Sequence, residues 1–395
     1  MKVTQIADIL NSTIKEVLGE EVVTTEDLSN IVDLGKEVVN TDNVDNYVKK
    51  LVDRIGKTVF VNKLYTGGVP SVMMDKWEFG SVVEKISTEL PNAQESDSWK
   101  LENGKEYSQD VFYQPTVDVK FFNSKTTFEI AMSFTEKQVK ESFTSVTELN
   151  GFYSMLQTAI QNSMTVKLDT LIMRTINNMI GETIVADLGT KPDYSKTGVK
   201  AVNLANLYKQ QTGKTVALNN AFSDSDFIRF SSYIISLYKD RLSKISKLFN
   251  VGGKERFTSV TDLHLIILSD FAKASDVYLS SNVIHNEQVS LPTYESVPYW
   301  QGTGVNYELG QTSNINIKTS GGNTVDVTGV IGVMFDTQAL GVSNLDSRVT
   351  SNYNAKAEFY NNYYKLDAGY YNDLNENFVV FFVGGTSADS PAKGK

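Results

Sequence analysis

The sequence predicts a mixed α+β fold that is built around extended elements. An uninterrupted amphipathic pattern runs from Ser145 to Gly181, a two-residue alternation of apolar and polar side chains runs from Val117 to Phe134, and short apolar runs recur towards the C-terminus. The chain has 395 residues and 41% hydrophobic residues, which is enough for two or three folded units that each have a core.

Residues 1–60 have the apolar spacing of three helices. The first carries Ile6, Leu10 and Ile14, and the third carries Val48, Leu51 and Ile55. Each helix has only a modest apolar stripe. We therefore expect these stripes to be covered by another part of the chain or by another copy of it.

The next region has the features of a long two-stranded arm. Residues 78–86 and 117–122 favour strands, and residues 90–108 between them are polar and rich in turn-forming residues. A cleaner alternation follows, with Phe128, Ile130, Met132 and Phe134 on one face. An isolated two-stranded arm is only marginally stable in water, so we expect a neighbouring subunit to support it.

The amphipathic pattern from Ser145 to Gly181 predicts one long helix. Ser145 and Glu148 form a capping box at its start, and Gly181 is the expected left-handed stop. Such a helix would be about 50 Å long. Steps of mostly three and four separate its apolar residues, which are Leu149, Phe152, Leu156, Ile160, Met164, Leu168, Leu171, Ile172, Ile176 and Met179.

The remaining residues alternate between helical and strand patterns. Ser223 and Asp226 are expected to cap a helix, residues 263–268 favour a buried strand, and residues 270–279 favour a helix. Tyr353–Tyr371 and Phe378–Val383 then favour two strands joined by a turn.

Composition excludes several classes of function. The net charge is −10, which does not favour nucleic-acid binding through a basic surface. With no cysteine, thiolate catalysis and cysteine-ligated metals are excluded, and the two histidines, His264 and His285, lack the spacing of a zinc site. Neither a signal peptide nor a membrane-spanning segment is expected.

No catalytic motif emerges from the chain. Gly56-Lys57-Thr58 and Gly213-Lys214-Thr215 resemble the end of a phosphate-binding loop but lack its earlier glycine. His264 lies in an apolar run and is expected to be a core or edge histidine. We therefore expect no enzyme activity, no cofactor and no metal. The tyrosine-rich strand, with Tyr360, Tyr363 and Tyr364, suggests strand packing and subunit contact more than ligand stacking.

The order of these parts resembles the major capsid proteins of tailed bacteriophages, which have the Hong Kong 97-type capsid fold. Two stretches, residues 262–300 and residues 329–342, also resemble family segments. The resemblance implies the following parts: an N-terminal helical arm (1–60), a linker and extended β-hairpin loop (61–135), a peripheral domain with a spine helix (136–187 and 329–385), an axial domain (188–328) and a disordered tail (386–395).

The resemblance implies a protein that self-assembles, in the cytoplasm of the bacterial host, into the icosahedral head shell of a virion. Its expected partners are copies of itself in hexamers and pentamers, together with scaffolding, portal and decoration proteins. The packaged double-stranded DNA would be enclosed without sequence-specific contact, and no membrane would be involved. The expected subunit contacts on the arm are Trp99, Lys100, Lys105 and Tyr107, and those on the tyrosine-rich strand are Tyr360, Tyr363 and Tyr364.

Two other structural functions fit the sequence. One is the shell of an encapsulin-like nanocompartment that holds a cargo enzyme, although the N-terminal helical segment favours a virus. The other is a phage tail or baseplate protein that binds host glycans through its tyrosine-rich strands.

Overall fold

The computed structural model describes residues 72–74, 83–91, 93, 95–107, 110, 112–135, 146–280, 291–300 and 315–384. The predicted N-terminal helices, the capping residue Ser145 and the predicted tail lie outside these residues. The chain divides into two compact units. Within the described residues, one contains residues 72–74, 125–135, 146–172 and 342–369, and the other contains the described residues between 83 and 124, between 173 and 341, and from 370 to 384.

Among the described residues, four strands precede the first α-helix and seven strands follow the last one. Five α-helices are present there: α1 (Val146–Leu188), α2 (Leu204–Thr212), α3 (Leu218–Ala221), α4 (Ser225–Leu242) and α5 (Ser269–Ser280). The strands are β1 (Met73–Met74), β2 (Val83–Thr88), β3 (Val117–Phe122), β4 (Lys125–Thr135), β5 (Ala201–Asn203), β6 (Leu263–Leu268), β7 (Glu295–Val297), β8 (Ile315–Lys318), β9 (Thr324–Val327), β10 (Val330–Asp336), β11 (Leu340–Asn354), β12 (Phe359–Asn372) and β13 (Phe378–Phe382).

The first unit contains a four-stranded sheet in the order β1-β11-β12-β4. Strand β4 pairs antiparallel with β12, from Lys125 opposite Gly369 to Thr135 opposite Phe359. The predicted faces of β4 are confirmed where side chains are described, because Phe128, Ile130 and Met132 are half-buried while the residues between them are exposed. The full length of β4 is paired with β12, so the two-stranded hairpin of the described residues does not include β4.

The second unit is organised around a five-stranded sheet in the order β5-β13-β10-β6-β7. Helices α2, α4 and α5 contribute to its core, in which Phe227, Phe271 and Phe381 are fully buried. The predicted strand at 263–268 and the helix after it are confirmed. The predicted cap of α4 is wrong, because Asp224 accepts hydrogen bonds from the backbone N–H groups of Asp226 and Phe227, both at 3.0 Å.

Helix α1 is longer than predicted and does not stop at Gly181. The apolar positions predicted from Ile160 to Met179 are buried, as expected for an amphipathic face. The helix passes through Gly181 and ends at Leu188. The next residue, Gly189, has a φ of +84° and donates its backbone N–H to the Val185 carbonyl at 2.9 Å. Gly181 instead leaves room for the Ile317 side chain, since a Cβ at position 181 would lie only 2.5 Å from Cγ2 of Ile317.

We expect Gly181→Ala to lower the free energy of unfolding by about 1–2 kcal/mol, because overpacking against the stiff Ile317 outweighs the gain of about 1 kcal/mol in helix propensity. In an Ile317→Ala background the same substitution should become neutral or stabilising. Urea unfolding of the four proteins in this cycle checks the prediction. Destabilisation of equal size in both backgrounds would contradict it.

Candidate subunit interface

Strands β2 and β3 form a hairpin whose stem is short and regular. They pair antiparallel from Val83 opposite Phe122 to Thr88 opposite Val117. Residues 89–116 connect the two strands and include a 3₁₀ turn at Asp97–Trp99. This hairpin is the part of the predicted arm that is present as a two-stranded element.

The hairpin stem is inverted, with its apolar face towards solvent. Ile86 is 65% exposed and Phe121 is 64% exposed, and Val117 and Val119 on the same face are also exposed. The opposite face carries Lys85 and Lys120 in register with each other. An antiparallel sheet usually turns its apolar face to the core and its polar face to water. An exposed apolar face of this kind is typical of an interaction surface.

A single carboxylate holds both strands of the stem. The ammonium groups of Lys85 and Lys120 donate to the two carboxylate oxygens of Asp373, at 2.8 and 3.1 Å. The Asp373 side chain is only 4% exposed. Lys85 also lies 3.3 Å from Glu376, and the guanidinium of Arg256 lies 3.4 Å from the other oxygen of Glu376. We call these five side chains the ionic anchor.

The turn between β12 and β13 positions the ionic anchor. The backbone N–H of Asp373 donates to the Ala339 carbonyl at 2.7 Å, and the Asp373 carboxylate accepts the backbone N–H of Asn375 at 3.1 Å. Burial acts to raise the pKa of Asp373, but hydrogen bonds and charge from Lys85, with help from Asn375 and Lys120, hold that pKa below its ordinary value of 3.8. The carboxylate therefore stays ionised through the neutral and mildly acidic range.

Two further contacts support the hairpin, one at each end of its stem. Lys254 lies 2.9 Å from Glu89 and 3.4 Å from Asp118, which lie where the stem meets the loop. On the inner face, the rings of Phe122 and Tyr371 are 5.1 Å apart between centroids. The stem is thus fixed to its own unit by charge and by one aromatic contact, while its outer apolar face stays uncovered.

The predicted arm residues lie in the connection between the two stem strands, residues 89–116, which we call the tip, and their contacts are local. Trp99 is 96% exposed, so its indole is presented to solvent. Lys100 pairs with Glu95 at 3.2 Å, and the Tyr107 hydroxyl accepts the backbone N–H of Glu102 at 3.0 Å. The ammonium of Lys105 lies 5.4 Å from the centre of the Tyr107 ring.

Sequence reasoning missed part of this surface. Leu101, Phe112 and Tyr113 are also exposed in the tip. The available signal was their position in a polar stretch without helical or strand periodicity, because a core position is not expected there. The ionic anchor was also missed, because Asp373 and Glu376 are remote in sequence from the hairpin and resemble ordinary turn residues.

The three tyrosines of β12 that were predicted to contact another subunit differ in their burial. Tyr360 and Tyr364 are buried within their own unit, and the Tyr360 ring packs 4.7 Å from that of Tyr353. These two tyrosines are therefore core residues, which corrects their assignment to a subunit contact. Tyr363 points to the other face of β12 and is half-buried. The expectation that these tyrosines form strand packing holds for the two buried ones.

A charged cleft of about 310 Å³ adjoins the ionic anchor. Its lining includes Asp262, Asp336 and Ser259, together with the apolar residues Ile86 and Phe257. His264, the one histidine among the described residues, accepts or donates a hydrogen bond at 2.9 Å to Thr337 and lies on β6 as a half-buried strand residue. Within the described ranges, no cluster of acidic and histidine side chains could hold a metal ion. None of the helices in the described part of the chain has the length and hydropathy of a membrane-spanning helix.

Comparison with known proteins places this chain in a family. Residues 10–382 match the model of the Phi29-like phage major capsid protein. The chain belongs to this family of major capsid proteins. It is therefore a structural protein of the phage capsid, and its location is the virion.

Individual relatives of this capsid protein are distant. The major capsid protein of Bacillus phage GA-1 is 26% identical over 165 residues, which cover 41% of this chain and 34% of that relative. The match thus spans about a third of the curated relative's length.

Solved phage capsid structures are also similar to this chain. In the capsid structure of Staphylococcus phage Andhra, the similar chain has 10% identity and a TM-score of 0.48, with 82% of this chain and 86% of that chain covered. In the capsid structure of the cyanophage P-SCSP1u, the values are 11% identity and 0.42, with coverage of 82% and 90%.

We expect Asp373→Asn in this capsid protein to lower the free energy of unfolding by about 2 kcal/mol, because the two lysines lose a buried charged partner. Asp346→Asn, which removes an exposed partner 4.0 Å from Arg348, is the matched control and should cost less than about 0.5 kcal/mol. Chemical denaturation with hydrogen exchange at residues 83–122 measures both effects. Equal losses in the two variants would contradict a special role for the ionic anchor.

The pH dependence of the anchor follows from the depressed pKa of Asp373. Since the folded-state pKa lies below the unfolded value, the anchor is fully stabilising above the ordinary aspartate value of 3.8 and is lost as the pH falls below it. The protection factors of the hairpin amides, which correct for the pH dependence of intrinsic exchange, should therefore stay high at pH 5 and fall only below pH ~4. A fall near pH 6 would instead indicate a different titrating group.

Proposed function

We propose that this capsid protein self-assembles into the icosahedral head shell of a tailed bacteriophage and encloses its double-stranded DNA, with a fold of the Hong Kong 97 type. The observation that carries this proposal is the inverted hairpin, because its apolar face and aromatic tip are exposed in the single chain. Such surfaces in a capsid protein suit contact with another copy of the same chain. Family membership supports self-association into a shell.

The parts of the chain suit the roles that this fold assigns. The hairpin built from β2 and β3 corresponds to the extended loop within residues 61–135, and α1 corresponds to the spine helix. In this proposal residues 136–187 and 329–385 form the peripheral domain, residues 188–328 form the axial domain, residues 1–60 form the N-terminal arm and residues 386–395 form a disordered tail.

The proposed subunit contact lies on the tip and outer face of the hairpin. Trp99 and Tyr107 supply aromatic area, and Lys100 and Lys105 supply charge near the rim. Tyr363 is retained as a further contact residue because it is the least buried of the three predicted tyrosines on β12. A hairpin that leaves its own subunit makes a heterologous contact, and such contacts close into the rings of hexamers and pentamers when the rotation permits.

The charge of the chain suits a container for DNA. With a net charge of −10, the protein as a whole does not attract phosphates, so the enclosed DNA would be held without sequence-specific contacts. Scaffolding, portal and decoration proteins are the further partners that this function requires. Assembly in the cytoplasm of the bacterial host is part of the same proposal.

Deletion of residues 92–108 tests the proposed role of the tip. We expect the shortened protein to fold but to form no shells, because the tip supplies the contact with the neighbour. Circular dichroism and thermal unfolding report folding, and size-exclusion chromatography with negative-stain electron microscopy reports assembly. Normal particles from the shortened protein would refute the role of the tip.

Trp99→Ala is a milder test of the same surface. The Trp99 side chain is almost fully exposed, so its removal should leave the unfolding temperature unchanged but raise the concentration needed for assembly about tenfold or more. Trp300→Ala is the matched control, since Trp300 is fully buried and donates its indole N–H to the Val330 carbonyl at 2.8 Å. We expect Trp300→Ala to lower the unfolding temperature, which Trp99→Ala should leave unchanged.

A further inference from the structure

We infer that a basic segment at the end of α4, residues 239–248, is the receiving site for the acidic hairpin tip of a neighbouring copy. This inference rests on the proposed function and adds the identity of the surface that the tip contacts. It is carried by the charge and the apolar exposure of two separate surfaces within the described part of the chain.

The basic segment, residues 239–248, is held in place by buried side chains and backbone hydrogen bonds. We call its surface the ledge. Leu242 and Phe249 are buried at either end of its non-helical part. Between them, Ser246 exchanges two backbone hydrogen bonds with Arg256, at 2.9 and 3.1 Å. A surface held in this way requires little ordering on binding, which favours affinity.

Apolar side chains lie on this ledge and point to solvent. Ile245 and Leu248 are both more than half exposed, and Phe257, close to the bridge with Arg256, is exposed to a similar extent. Two exposed apolar side chains in the segment, with a third beside it, are typical of a protein contact rather than of a purely solvated loop.

The segment is positively charged in an acidic protein. It contains four basic residues and one acidic residue, a net charge of +3, in a chain whose net charge is −10. The basic residues are Lys239, Arg241, Lys244 and Lys247. Lys247 lies 3.3 Å from Glu255, but both side chains are well exposed, so that pair contributes little and does not occupy the surface.

The hairpin tip has the complementary composition. Residues 95–110 contain five acidic residues and two lysines, a net charge of −3. The two lysines pair within the tip, Lys100 with Glu95 and Lys105 with Asp97. Trp99 and Leu101 are exposed beside these charges. Both surfaces therefore combine exposed apolar side chains with charge of opposite sign, which sets orientation and speeds encounter.

DNA is the other partner that a basic surface could take. A DNA-binding surface relies on many Lys and Arg contacts to phosphates and gains little from exposed Ile, Leu and Phe side chains. The apolar side chains on the ledge and its modest charge favour the protein tip. Binding of DNA is kept as an outcome of the test.

Charge reversal with rescue tests the inference in the full-length protein. We expect Lys244→Glu with Lys247→Glu to raise the concentration needed for assembly at least about tenfold, because like charges then face each other. Glu102→Lys with Glu106→Lys on the tip should do the same. The protein that carries all four substitutions should regain assembly. Lys273→Glu reverses an exposed charge on α5 and serves as the control that should assemble normally.

Light scattering against concentration, electron microscopy and thermal unfolding are measured for each protein. The Glu102→Lys, Glu106→Lys substitutions lie in the exposed tip and should not affect folding. They therefore still test the inference if the Lys244→Glu, Lys247→Glu protein is unstable. Normal assembly of both reversed proteins, or failure of the combined protein to recover while it remains folded, would overturn the inference. In that case, loss of shells on deletion of residues 92–108 would still support the proposed function.

The DNA alternative gives a different pattern. Shells that form normally from the Lys244→Glu, Lys247→Glu protein but retain less DNA, or a ledge that binds short duplex DNA more weakly after reversal with assembly unchanged, would assign the segment to DNA and overturn the inference.

Discussion

The interaction on which the hairpin depends is the contact of Asp373 with Lys85 and Lys120. Removing three charged groups from bulk water is costly, and it becomes favourable only where hydrogen bonds satisfy them. Here both carboxylate oxygens receive an ammonium, and the surrounding turn donates a backbone N–H as well. Because the charged face of the stem is bound inwards, the apolar face is left exposed to solvent.

This arrangement separates folding from association. The stem is fixed by ionic and aromatic contacts inside one subunit, so the hairpin does not depend on a neighbour for its position. In the proposed contact, its exposed apolar side chains are already ordered before they meet the neighbour, which reduces the entropy lost on binding. This separation suits a capsid protein, because the hairpin has to be stable in the unassembled subunit and still be able to bind another subunit during assembly.

The sequence predicted the elements whose signal is local. The buried face of α1 and the two faces of β4 follow from periodicity, and the strand at 263–268 follows from its apolar run. Gly181 was misassigned because its role depends on Ile317, which is remote in sequence. The orientation of the hairpin was not predictable, since alternation defines two faces of a strand but not which one meets Asp373. Tyr360 and Tyr364 were misplaced for the same reason.

The position of one carboxylate between two strands has a consequence for strand register. Side chains alternate along a strand, so a slip of one residue in β3 would turn Lys120 outwards and carry Val119 and Phe121 to the inner side. Asp373 would then lose one of its two lysines in a poorly hydrated site. The anchor therefore selects a single alignment of the hairpin, and every copy of the chain presents the same outer face to the next.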